Sequence, residues 1–260
     1  MNQPPRRDVN DQIRRATKPL GLTLRRLSAL GACVATCIAM TGCGSRDASH
    51  EPVAWVQAKP ITRAALDHWI HVAAVRDFAL FPKTSVPDGL VPDPPTYEHC
   101  VAHLAKGSAA LPRERLKSQC ARRYAALKRQ VLGALIGARW LIQEGEAHGF
   151  TVTTAEERRR YETTIRRQVG GAAAVARYFA LTGETASDQL FRARIKLMSA
   201  KLEQEVLGHR ARGESPGRAL GRYFEALPRR WTSRTRCSKG YVIPECREYR
   251  GKASPQLDLL

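Results

Sequence analysis

Hydrophobic and polar residues follow one another along most of this chain with the spacing of helices, and the clearest example is the segment 112–146. It has no internal proline and is rich in Ala, Leu, Arg, Glu and Gln, which lose little on entering a helix. In its first half the apolar residues share one face, opposite Arg115, Arg122 and Arg129. From 131 to 142 they cover most of the circumference, so neighbouring elements must bury this half. The pattern predicts a helix about 50 Å long with a basic outer half and a buried inner half.

Shorter patterns predict the other elements. Five prolines within 81–97 indicate a loop. Helix boundaries are predicted by Gly149 as a C-cap, by Thr153 with Glu156 as a capping box, and by Ser215 before Pro216 as an N-cap. The predicted order is a strand at 53–57, six helices at 63–80, 112–146, 154–169, 172–181, 186–207 and from 216, a hairpin or extended pair within 231–249, and a loose tail at 251–260. A helical turn is predicted at 98–105, before the long helix.

The fold class is therefore mainly α. We expect an extended multi-helix body with a long central helix, a short strand near the start of the mature chain and a C-terminal strand or hairpin. The strand at 53–57, the helix at 186–207 and the C-terminal segment are expected to meet at the apolar half of the long helix, because that half needs cover on several sides.

Residues 1–42 have the organisation of a secretory signal peptide. A basic segment precedes an apolar run at 27–40, and Thr-Gly comes immediately before Cys43. This ending resembles the bacterial lipobox, which predicts that Cys43 is lipidated and that 43–51 tether an exported body to the outer face of the cytoplasmic membrane. The alternative is a single N-terminal transmembrane anchor, but the apolar run has 14 residues and a spanning helix needs about 20.

The chain is strongly basic, with 43 Lys and Arg against 24 Asp and Glu. Residues 43–260 keep 36 basic and 22 acidic residues, a net charge of +14. This balance favours anionic surroundings. We expect no nucleic-acid partner, because the chain has no RNP pattern, no zinc-finger spacing and no basic helix with interleaved stacking aromatics.

Four cysteines remain in the predicted mature chain besides Cys43. An even number outside the cytoplasm indicates two disulfides, and four cysteines allow three pairings. We predict Cys100–Cys120 and Cys237–Cys246, which close the shortest loops. The competing interpretation is a metal site that combines His99, Cys100 and His103, with Cys120 as a further ligand. No CxxC or HExxH spacing is present, and we expect no metal and no cofactor.

Several patterns suggest catalysis but fit structural roles better. The stretch 213–217 matches GxSxG, yet that chemistry needs a preceding strand, and Ser215 is explained as a helix N-cap. Glu144 and Glu146 are two residues apart and point to different faces of a helix. His68 and His71 share a face but lack a third ligand at matching spacing. We therefore predict no catalytic residues.

Several stretches resemble the SurA/PrsA family of exported foldases, whose chaperone module is related to the substrate-binding domain of trigger factor. VAWVQAKPIT resembles the family's first strand and helix start. LIGARWLIQEGEAHGFTVTTAEE resembles its long helix and the junction that follows. YFALTGETASDQLFRARIKLMSAKLEQEV resembles its next helical segment, and LGRYFEALPRRWTSRTRCSKGYVIPEC resembles the closing helix and strand of exported, actinobacterial-type members. The motifs lie in the family's order and span residues 52–247.

The resemblance implies a chaperone domain at 52–250 that binds unfolded or newly exported polypeptides. Enzymatic members carry a parvulin prolyl-isomerase domain between the fifth and sixth helices, where this chain has only residues 208–215, so the resemblance implies no isomerase activity. Side chains expected to contact a client are Leu127, Leu132, Ile136, Trp140, Tyr178, Phe179 and Phe191. We expect the surface around residues 127–136 to be the main client-binding region. The alternative is a structural or scaffolding lipoprotein associated with an anionic cell-wall polymer or with a specific secreted partner.

We predict that the mature chain begins with a lipidated Cys43. Mass spectrometry of the N-terminal peptide should show the diacylglyceryl group, and Cys43→Ser should move the protein from the membrane fraction to the soluble fraction. Reduction of the intact chain should add the mass of four hydrogens, as expected for two disulfides. Recovery of a membrane-bound chain that keeps residues 1–42 would instead support the transmembrane alternative.

Overall fold

Two short strands come first in the part of the chain that the structure describes, and seven helices and a third strand follow. The computed structural model describes residues 50–79, 85–107, 111–168, 171–257 and 259, all within the unit Ser45–Leu260. The elements are β1 Pro52–Val56, β2 Lys59–Thr62, α1 Arg63–Ala79, α2 Glu98–Ala105, α3 Arg113–Ala147, α4 Thr154–Gln168, α5 Ala172–Thr182, α6 Ala186–Gly208, α7 Pro216–Thr232 and β3 Thr235–Cys237. The predicted signal peptide at 1–42 and the lipid site Cys43 lie outside the described residues.

The sheet joins the two ends of the described chain. It is antiparallel, with the order β2-β1-β3 and β1 in the centre. Three hydrogen bonds extend the pairing of β1 with the C-terminal region. Gln57 N donates to Arg234 O at 2.8 Å, and Ser238 donates through N to Val53 O at 2.9 Å and through Oγ to Pro52 O at 2.8 Å. The N-terminal strand is therefore held by residues near the end of the chain.

Local capping explains where several helices begin and end. The Thr153 side chain and Glu156 exchange hydrogen bonds at the start of α4, and Ser215 accepts from Arg218 N at the start of α7. At the end of α3, Phe150 N donates to Gly145 O at 2.9 Å and Gly149 has φ 80°. Because glycine enters this left-handed conformation without steric cost, α3 ends in a Schellman motif. All three predicted caps are confirmed.

The apolar half of α3 lies at the centre of the main core. Its buried residues pack against β1, α1, α6, α7 and the C-terminal segment, and the same buried cluster includes Val53, Met198, Leu202 and Ile243. Two polar groups of α3 are satisfied inside this core. Trp140 Nε1 donates to Thr235 Oγ1 at 2.7 Å, and Gln143 Nε2 donates to Val56 O at 3.1 Å. The predicted convergence on this half of the helix is confirmed.

The outer half of α3 belongs to a second, smaller cluster. Cys100 and Val101 of α2 pack there against Leu116 and Cys120 of α3, and a disulfide joins Cys100 to Cys120. We call α2 together with residues 113–121 of α3 the helical arm. The other predicted pair, Cys237–Cys246, is also present and links β3 to the segment that follows it.

Of the strand and the hairpin that are predicted as alternatives for the C-terminal region, the structure has the strand. A single strand, β3, pairs with β1, and the following residues form turns instead of a second strand. Trp231, expected in the extended tail, lies in the last turn of α7 and is buried. The predicted loose tail has no helix or strand in its described part, but Leu257 packs against the main core and Gln256 N donates to Glu245 Oε1 at 3.2 Å. Strand β2 is not predicted from the sequence, which indicates only a turn before Ile61.

No helix within the described ranges, including the 35-residue α3, combines the length and the apolarity that a membrane span requires.

We predict that Gly145→Ala destabilises the protein, although alanine favours helices. A Cβ at Gly145 would overlap Sδ and Cγ of Met198 on α6, so these helices could no longer approach as closely. The free energy of unfolding should fall by about 1–3 kcal/mol in denaturant titrations. Gly221→Ala on α7, where the nearest atom is Glu225 Oε1 at 3.9 Å, is the matched control and should be neutral or stabilising by up to about 1 kcal/mol. Equal effects of both substitutions would contradict this reasoning.

Candidate functional site

Three of the predicted client-binding residues are in the core. Leu132 is 1% exposed, and Ile136 and Trp140 are 0% exposed. The prediction that they form a client-contacting surface is therefore wrong. The physical reason is that β1, α6 and the C-terminal segment cover the same face of α3 that these side chains occupy.

The other four predicted residues are partly exposed and come from three helices. Leu127 is on α3, at the edge of the main core. Phe191 on α6 lies 6.2 Å from the Trp69 ring, and the Arg139 guanidinium lies 5.9 Å from the Phe191 ring. Tyr178 and Phe179 are neighbours on α5, with ring centroids 6.1 Å apart. Leu127 therefore belongs to α3, and the three aromatic residues belong to α5 and α6.

A group of tyrosines and cations lies on and beside α3 near Leu127, between the helical arm and the main core. The Tyr97 and Tyr124 rings are 6.3 Å apart. Lys128 Nζ lies 4.3 Å from the centroid of the Tyr241 ring, and Arg63 Cζ lies 5.7 Å from the same ring. We call these five residues the tyrosine cluster. Each of them is partly exposed, so the cluster is accessible from solvent.

The charges in and near the tyrosine cluster are partly removed from water. Burial, followed by the positive charge of Arg63, lowers the pKa of Lys128. Burial, followed by the negative charge of Asp67, raises the pKa of Tyr124. Partial burial also raises the pKa of Asp67, against the opposing effect of Arg63 and Lys128. Hydrogen bonds and ion pairs that a ligand makes here would be screened less than on an open surface.

A groove of about 260 Å³ adjoins the tyrosine cluster, between α3 and the C-terminal segment. Lys128 Nζ donates to Gly240 O at 3.2 Å across it. Cavities that enclose a small molecule usually measure roughly 300–1,000 Å³, so this groove suits one or two side chains of a larger partner. Its lining residues are Ala125, Lys128, Arg129, Leu132, Gly240, Tyr241, Val242 and Ile243.

A second polar group lies where α3 meets α7, around the buried carboxylate of Glu144. Three donors reach it: Trp231 Nε1 at 2.6 Å, Arg230 at 2.7 Å and Tyr223 Oη at 2.8 Å. Burial acts to raise the pKa of Glu144, but hydrogen bonds from Trp231, Tyr223 and Arg230 outweigh it and hold the pKa below its ordinary value. Burial and the bond to Glu144 raise the pKa of Tyr223.

The Glu144 group is suited to holding two helices together. All three donors come from α7, and a carboxylate kept ionised by three hydrogen bonds is a weak proton acceptor. His148 Nε2, 3.3 Å from Tyr223 Oη, lies at its solvent side. Glu146, two residues away from Glu144, is exposed, which confirms that the two carboxylates face different directions.

The remaining sequence patterns take structural roles. Ser215 caps α7. His68 Nε2 lies 2.9 Å from Asp188 Oδ2, and Asp188 closes the capping box of α6 with Thr185. Cys100, part of the candidate metal set, is bonded to Cys120. Within the described part of the chain, no group of three His, Cys, Asp or Glu side chains is arranged as a metal site.

Sequence reasoning missed the tyrosine cluster. Its members come from the start of α1, the loop before α2, α3 and the C-terminal segment, so no local spacing connects them. The one available signal was that Tyr241 falls in the segment expected to converge on the long helix.

Comparison of the chain with family models, with curated proteins and with solved structures finds no match. The geometry therefore defines the class: a mainly helical protein with a disulfide-linked arm and a partly exposed tyrosine cluster at the base of that arm.

We predict that Glu144 contributes stability that disappears in acid. In the folded state the pKa of Glu144 lies below its value in the unfolded state, which is about 4.3. The stabilising contribution is therefore fully present above the unfolded-state pKa. It is lost as the pH falls through the folded-state pKa. The free energy of unfolding should fall less steeply below about pH 4.3 for Glu144→Gln than for the original chain.

Glu146→Gln is the matched control, because Glu146 is exposed on the same helix. It should leave the acid dependence nearly unchanged, since surface substitutions usually change stability by less than about 0.5 kcal/mol. Identical pH profiles for the Glu144 variant and the original chain, measured by urea unfolding, would show that the carboxylate contributes nothing.

Proposed function

We propose that this protein is an extracytoplasmic, lipid-anchored chaperone-like protein that binds unfolded or newly exported polypeptides and has no prolyl-isomerase domain. The proposal combines the lipobox-like ending at Cys43, the ordered SurA/PrsA-type motifs and the tyrosine cluster. The order of elements is consistent with it, since a short strand, a first helix, a loop and a long helix follow one another in the order on which the resemblance depends.

The tyrosine cluster is the observation that carries the proposal. Tyrosine offers a large apolar area together with a hydroxyl, so it accommodates many different side chains at low entropic cost. Cations beside tyrosine rings add attraction for carboxylates and for other aromatic rings. The adjoining groove also offers accessible apolar side chains on both sides, with the partly exposed Ala125 on α3 and the exposed Val242 on the C-terminal segment. An extended segment with a protruding side chain fits such a surface.

We propose no isomerase activity because the connection between α6 and α7 is short. Seven residues, 209–215, separate Gly208 from Pro216. The resemblance assigns the parvulin domain of enzymatic members to this connection, and seven residues are far below the roughly fifty that a small domain requires.

We predict that Tyr241→Ala weakens client binding. The substitution removes the ring that lies beside Lys128 and Arg63 and widens the groove. The concentration of mature protein needed to suppress aggregation of a chemically unfolded client, followed by light scattering, should rise about threefold to tenfold, which corresponds to about 1 kcal/mol of binding free energy.

Tyr161→Ala on α4 is the matched control, because Tyr161 is also a partly exposed tyrosine. It should suppress aggregation as well as the original chain does. A companion peptide assay should detect no acceleration of prolyl isomerisation. The proposal fails if the original chain has no effect on aggregation at molar excess.

A further inference from the structure

Three arginines form a straight row on the outer face of α3. Arg115, Arg122 and Arg129 are seven residues apart, so they lie above one another along the helix. All three are exposed. At a rise of about 1.5 Å per residue the row is roughly 21 Å long, with successive positions about 10 Å apart. We call these residues the arginine row.

The packing of the helical arm leaves the row in solvent. Leu116 and Cys120 of α3 are buried against α2, and the disulfide to Cys100 holds the two helices together. The same heptad column continues to Ile136 and Gln143, which are both buried in the main core. The row therefore occupies the part of the column that the fold leaves uncovered.

The row is also short of compensating charge. Among the residues that the structure describes, no acidic side chain forms a salt bridge with any of the three arginines, and Arg122 donates to Ser118 Oγ at 2.8 Å. Some arginines elsewhere do have an acidic partner, for example Arg192 with Glu184 at 2.9 Å. Within 113–130, seven residues are Lys or Arg, and Glu114 is the single acidic residue of that stretch of the sequence.

At its inner end the row reaches the groove beside α3. Arg129 and Lys128 line that groove together with Gly240, and the exposed Lys239 precedes Gly240 in the chain. Positive side chains thus continue from the arm onto the C-terminal segment. The exposed positions near the row, such as Gln119 and Ala126, are small or polar.

We propose that the arginine row binds a linear polymer, other than a nucleic acid, that carries phosphate groups along its backbone. Guanidinium groups bind phosphate through paired hydrogen bonds, and each arginine of the row can engage a separate phosphate. The binding free energy should increase with each arginine that contacts the polymer, because each contact releases counterions from it. A membrane surface is a poorer partner, because helices that lie on bilayers insert large apolar side chains. This site is distinct from the tyrosine cluster and goes beyond the proposed function.

The experiment uses the full mature chain and inorganic polyphosphate as the probe. Combined substitution of Arg115→Gln, Arg122→Gln and Arg129→Gln should weaken binding by about tenfold or more, and should reduce the salt dependence by roughly two to three charges. Combined substitution of Arg158→Gln, Arg159→Gln and Arg160→Gln on α4 removes the same charge from three exposed positions that are not in a row. This matched control should bind within about twofold of the original chain. Circular dichroism and thermal unfolding establish that both variants are folded.

Two further measurements separate the alternatives. Monomeric phosphate should compete poorly at equal phosphate concentration, because it cannot span the row. Vesicles of phosphatidylglycerol and phosphatidylcholine should bind the row variant and the α4 variant alike. Equal losses of polyphosphate binding in the two variants would overturn the proposal in favour of net charge alone. A selective loss of vesicle binding in the row variant, with polyphosphate binding unchanged, would overturn it in favour of a membrane.

Because Tyr241→Ala leaves the row intact, it should keep polyphosphate binding whatever its effect on clients.

Discussion

The burial of one half of a single helix organises this structure. Residues 131–145 of α3 are buried around most of the circumference, so β1, α1, α6, α7 and the C-terminal segment must all pack on them. The polar groups in that half then fix which element packs where. Gln143 holds β1, Trp140 holds β3, and Glu144 holds α7 through three donors. Because a buried polar group without a partner is costly, these bonds favour one arrangement over others of similar apolar area.

The other half of α3 extends beyond the main core and needs separate support. The small cluster of four buried residues provides little apolar area, and a disulfide compensates by restricting the unfolded arm, typically by about 2–4 kcal/mol. This division places the two proposed surfaces. The tyrosine cluster lies where arm and core meet, and the arginine row lies along the exposed side of α3 from the arm to the groove. One helix therefore gives both surfaces a fixed relation to each other.

Local signals predicted the helices, and non-local packing decided the site. Thr153, Ser215 and Gly149 act through bonds to residues only a few positions away, so their caps were recognisable in sequence. The two disulfides followed from loop length. Ile136 was expected both in the buried half of the long helix and among the client contacts, and its 0% exposure agrees with the first expectation alone. The tyrosine cluster was missed because Tyr241 approaches α3 from a distant part of the chain. Of the two alternatives for the C-terminal region the strand is confirmed, and its partner is non-local, since β3 pairs with β1 instead of with its own neighbour.

The position of β1 between β2 and β3 determines when the fold can be completed. A chain made from its N-terminus forms β1 and β2 early, but β3 follows about 180 residues later, and pairing across so large a sequence separation is slow. Until then one edge of β1 and the groups of α3 that face β3 remain unpaired. The nascent protein therefore carries an open strand edge for most of its synthesis. A protein proposed to protect other chains from aggregation itself passes through a stage at which it needs the same protection.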